Sequence, residues 1–61
     1  MGRRRIKELI AHLEQQRLRL EDVRLRARRQ GGPEGERLDK QAEARLRDIE
    51  SRINTMRASL E

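Results

Sequence analysis

Two stretches with apolar residues spaced alternately three and four apart flank Gly31-Gly32-Pro33-Glu34-Gly35. That punctuation leaves little besides two helices folded back on each other. With Ile6 as the first core position of a heptad, the inward set of the first stretch is Ile6, Leu9, Leu13, Gln16, Leu20, Val23, Ala27 and Gln30. The inward set of the second is Asp39, Ala42, Leu46, Ile49, Ile53, Met56 and Leu60. Both follow the a/d pattern of a coiled coil over more than three repeats, and the period-two alternation of a strand is missing. The pattern predicts an all-α fold: an antiparallel two-helix coiled-coil hairpin that dimerises into a four-helix bundle.

The ends of the stretches agree. Arg28 and Arg29 fall in the last turn of the first helix, where cations oppose the dipole's negative end. Gly31 can supply a left-handed cap, and Pro33 suits the first turn of the next helix, with Glu34 and Glu36 placing negative charge there. The expected bounds of this single hairpin are helix one at 3–30, the turn at 31–35 and helix two at 34–60. A loop this short makes the helices antiparallel. Centring the turn between Glu34 and Gly35 predicts the layers Ala27–Ala42, Val23–Leu46, Leu20–Ile49, Gln16–Ile53, Leu13–Met56 and Leu9–Leu60. Gln16 then forms a polar layer that fixes register or oligomer state.

The chain has no Phe, Tyr, Trp or Cys, so any core is aliphatic and unsupported by disulfides. At 61 residues such a core is marginal by itself, which implies self-association or a partner. Absence of Cys suits a cytoplasmic setting. No apolar run approaches a membrane span. Met1-Gly2-Arg3-Arg4-Arg5 precedes no apolar run, which argues against a secretory or twin-arginine signal, and Ile6 argues against myristoylation at Gly2.

Charge supplies the functional expectations. Residues 1–30 carry ten Arg/Lys against four Asp/Glu, and residues 31–61 carry six against seven. The basic residues are mostly Arg, whose planar, weakly hydrated fork suits carboxylates and phosphates at interfaces. In the expected register Arg24 faces Glu43 and Arg17 faces Glu50, pairs that select this alignment more than they stabilise it. On the other flank Arg26 faces Arg45, Arg19 faces Arg52, and His12 faces Ser59. Four arginines along one flank are open to two readings. One is a solvated face with Asp22 and Asp48 reaching around. The other is a site for an anion, whether nucleic acid, a nucleotide-like ligand or an acidic protein surface, held by Arg19, Arg26, Arg45 and Arg52. Leu18 and Leu25 form an apolar stripe on the outer face of helix one, and Ala44, Ser51 and Ala58 a small-residue stripe on helix two. Leu18, Leu25, Ala44 and Ala58 are the expected self-association residues of a homodimer.

Enzymatic chemistry is not expected. His12 is the single histidine, so no histidine-based metal site or proton relay can form within one chain. Ser51, Thr55 and Ser59 lie on a helix without a nearby base. The Gly-rich turn lacks the GxxxxGK[ST] phosphate loop and follows no strand. No cofactor is expected. With no aromatic side chain for bases to stack on, any nucleic-acid contact would run through phosphates and fall steeply with salt.

In length, architecture and a basic helix face the chain resembles the Rop family of plasmid copy-number regulators, two-helix hairpins that pair into four-helix bundles and bind RNA loops; no motif is shared. Val23-Arg24-Leu25-Arg26 and Ser51-Arg52-Ile53-Asn54-Thr55-Met56 are similar to stretches of the two-helix ribosomal proteins of the large-subunit tunnel exit. The chain departs from that family where an aromatic belongs and in its net negative second half. These resemblances imply RNA binding. The residues themselves point first to a self-associating adaptor or regulator with an anionic or acidic partner, and leave open a structural assembly piece, natural or designed.

Overall fold

In a computed structural model, which describes residues 2–60, the chain forms α1 (Arg3–Gln30) and α2 (Gly32–Leu60), packed antiparallel. Both are rich in Arg, Leu, Glu, Gln and Ala, the residues that lose least side-chain freedom in a helix, and Pro33 at the start of α2 costs nothing there. The hairpin measures 45 × 14 × 13 Å, its length that of a single helix of about thirty residues.

The turn is tighter than the sequence suggests. Only Gly31 separates the helices, and its N–H closes α1 on the Ala27 carbonyl at 3.1 Å. Gly31 lies at φ 67°, ψ −171°, a region only glycine occupies easily, and Gly32 follows at φ 70°. Gly35 is buried one turn into α2, against the Ala27 carbonyl; a methyl group there would collide with that oxygen. The absent side chain lets the two backbones touch. Chain reversal therefore centres near Gly31, about half a heptad before the expected midpoint between Glu34 and Gly35. Ala27 packs on Gly35 instead of Ala42, which lies beside Leu20 and Val23.

The core is small. Ile10, Ile49 and Ile53 form its centre, with Ile6, Leu13, Leu20, Met56 and Leu60 packed around them. Ala27, Ala42 and Leu46 are also buried. On α2 the inward face is the expected one. On α1 it is rotated: Ile10 is buried, Arg17 and Arg24 are half-buried, and Leu9, Gln16, Val23 and Gln30 are exposed. The expected frame carries six apolar residues and the observed one five, so hydrophobic counting favours the wrong frame. Polar pairing favours the observed one. Asp39 is the one acid in the inward set of α2, and Arg24 reaches it from the neighbouring position to Val23, burying its aliphatic stem as it does so. Gln16 consequently forms no core layer; it lies within 3.4 Å of His12 on the surface.

The accessible surface is 5185 Å². A compact monomer of 7.3 kDa exposes about 4,200 Å². The excess, about 1,000 Å², is comparable to one partner's share of a standard protein interface.

Candidate interaction groove

The rotation of α1 gives the hairpin two unlike edges. One is closed by ion pairs between the helices. Arg24 Nε donates to Asp39 Oδ1 at 2.7 Å and its Nη2 lies 3.8 Å from Glu43. Arg28 lies 3.8 Å from the other Asp39 oxygen, and Arg57 donates to Glu14 at 2.6 Å. The Arg24–Glu43 pair is the one expected, although Asp39 is the nearer partner. Arg17–Glu50 does not form: Arg17 turns to Glu21 at 4.0 Å, and its Nε is buried without a hydrogen-bond partner.

The hydrogen bond from Arg24 holds the Asp39 carboxyl below the usual carboxylate range. The charges of Arg24 and Arg28 act in the same direction, and partial desolvation against it. The same hydrogen bond holds Arg24 above the ordinary guanidinium value. Both shifts mark a pair that favours its charged form in the fold.

The opposite edge is an open groove. Leu9, Gln16 and Val23, seven residues apart on α1, line it with Leu38, Arg45, Arg52 and Ser59, seven apart on α2. Its middle is walled by Gln16, Arg19, Arg45, Asp48 and Arg52 over a floor of Leu13, Leu20 and Ile49. Toward the free ends of the helices it continues with Ile6, Leu9 and Met56, and toward the turn with Val23, Leu38 and Ala42. Leu9 is 37% exposed, and Val23 and Leu38 are each 40% exposed. Among the described residues no ion pair crosses this edge.

Three of the four expected anion-binding arginines, Arg19, Arg45 and Arg52, thus share one groove despite the displaced turn. Arg26 lies outside that group and pairs with Asp22 at 3.1 Å. Arg52 pairs with Asp48 at 3.2 Å. For these two the acids do reach around. Arg19 and Arg45 have no carboxylate within 4.0 Å among the described residues. Two cations lining one groove without an ion-pair partner raise the local potential, and that favours an anion.

The heptad frame places Leu9, Gln16 and Val23 in the core, and the structure turns them into groove lining. The signal that could have placed them is the single Asp39–Arg24 match across the seam. The expected self-association residues Leu18 and Leu25 lie on the outer face of α1, 61% and 55% exposed. Ala44 and Ala58 are exposed on α2.

Among the described residues no group of three or more His, Cys, Asp or Glu could hold a metal ion, and neither helix is long and apolar enough to cross a membrane. The described residues form a small helical hairpin with no catalytic constellation among them. No family model, curated protein or solved structure matches it.

Proposed function

We propose that this chain is a non-enzymatic interaction module, an adaptor or regulator that self-associates and engages an acidic protein partner through its open edge. The observation that carries the reading is the pair Arg19 and Arg45, set in one groove with Arg52 and lacking carboxylate partners of their own. Arginine in such a setting offers a planar fork to a carboxylate, and an incoming acid replaces no existing ion pair at Arg19 or Arg45. A nucleic acid would meet the same guanidinium groups. The apolar floor favours a polypeptide, because phosphate backbones gain nothing from Leu13, Leu20 and Ile49. Self-association through Leu18 and Leu25 against Ala44 and Ala58 is the companion proposal, supported by the exposed leucines and by the surface excess.

The test titrates fluorescent polyglutamate into the protein by anisotropy at rising salt. Binding should weaken with salt and fall in Arg19→Glu/Arg45→Glu. It should persist in Arg37→Glu/Arg47→Glu, which changes net charge equally elsewhere. Equal loss in both double variants would reduce the site to overall charge and end the reading. For self-association, sedimentation across a dilution series should give a dimer that Leu18→Glu/Leu25→Glu dissociates; a monomer at every concentration removes that component.

A further inference from the structure

We infer that the open groove takes one amphipathic α-helix with apolar side chains toward both ends and carboxylates in its central turns. This rests on the proposal of an acidic partner and specifies its form. The argument comes from the order of chemistry along the groove. Ile6, Leu9 and Met56 line one end with Ser59, and Val23, Leu38 and Ala42 the other with Gln41; Arg19, Arg45 and Arg52 line the middle with Gln16 and Asp48, Arg45 reaching toward the turn end as well. An acid-rich coil would satisfy the middle and leave both apolar ends wet. An apolar helix would cover the ends and strand two guanidinium groups without counterions, a costly desolvation. Only the apolar-acidic-apolar order satisfies all three segments.

Length and shape agree. From Met56 back to Leu38 the groove runs along about 27 Å of helix at ~1.5 Å per residue, the span of a helix of roughly eighteen residues. A groove between two antiparallel helices presents ridges that a third helix can enter at a shallow crossing angle. A second copy of the groove would fit poorly, since its own Arg19 and Arg45 would lie against these. In helix-in-groove recognition the docking helix supplies anchors at i, i+3, i+4 and i+7, and a helix of this length presents several of them.

The experiment uses a dye-labelled synthetic helix of roughly eighteen residues, with leucines on one face of its terminal turns and glutamates on the same face of its central turns. Its comparators are a peptide of equal composition with Leu and Glu exchanged between centre and ends, polyglutamate, and a single-stranded RNA oligonucleotide. The ordered helix should bind about tenfold or more tightly than the exchanged peptide, and lose at least that much in Arg19→Glu/Arg45→Glu. It should also weaken in Leu9→Ser/Val23→Ser while polyglutamate binding stays level. If the exchanged peptide or polyglutamate binds as well as the ordered helix, the inference falls and the acidic-partner reading survives. If no acidic probe binds, or the RNA alone binds, both fall.

Discussion

The two edges of this hairpin carry the same kinds of residue and do opposite things with them. On the closed edge Arg24, Arg28 and Arg57 cross to Asp39 and Glu14 on the facing helix. On the open edge Arg52 pairs only within its own helix, while Arg19 and Arg45 pair with no carboxylate among the described residues. Composition is therefore a poor guide to which arginines are available. What decides it is the rotation of α1, which turns position 24 toward α2 and position 23 toward solvent. A charged helix face becomes structural when its counterions lie on the neighbouring helix, and becomes a candidate for binding when they do not.

The contrast can be broken at several places. The largest effect should come from Gly35→Val, which separates the helices at the turn and spoils both edges. A side chain in a helix interior ordinarily improves on glycine by up to about 1 kcal/mol. Here overpacking against the Ala27 carbonyl should win, with a net loss of about 1–3 kcal/mol in urea unfolding followed by circular dichroism. A gain in stability would mean that the helices do not touch there.

Next comes the closed edge alone. Asp39→Asn should lower the melting temperature at neutral pH. It should also flatten the acid limb of the stability curve. Because the folded carboxyl is held below its free value, its contribution is complete above the free carboxylate range and disappears as pH falls through the folded value. An unchanged acid limb in the variant would remove the Arg24–Asp39 bond from the account.

A smaller effect, of opposite sign, is expected at Arg17. Its Nε is a buried donor without an acceptor, so Arg17→Leu should stabilise by about 1 kcal/mol in the same unfolding assay. The smallest belongs to the open edge. Arg19→Gln/Arg45→Gln should shift stability by no more than about 0.5 kcal/mol, because these side chains form no ion pair in the hairpin. A large loss there would show that the open edge, too, is structural.

Much of this was legible from the residues. The glycines and Pro33 mark the chain reversal, and Ala42, Leu46, Ile49, Ile53 and Met56 define an inward stripe that the structure keeps. The placing of Arg19, Arg45 and Arg52 on one edge follows from heptad spacing and survives the displaced turn. Two things were not legible. The midpoint of the turn depends on two consecutive positive-φ glycines and on a backbone contact at Gly35, neither of which leaves a periodic signal. The rotation of α1 depends on whether Val23 or Arg24 faces Asp39. A hydrophobicity count prefers Val23, because it ignores the apolar stem of Arg24 and the cost of leaving Asp39 in the seam without a counterion.

That rotation is the point on which both edges depend, and two adjacent positions report on it directly. The chain has no native cysteine, so Leu9→Cys and Ile10→Cys can each be alkylated in the folded protein and compared with the unfolded rate. With Leu9 37% exposed and Ile10 8% exposed, the thiol at position 9 should react well ahead of the thiol at position 10, which should be protected. The reverse order, protection at position 9 and free reaction at position 10, would restore the simple heptad frame and erase the distinction between the edges.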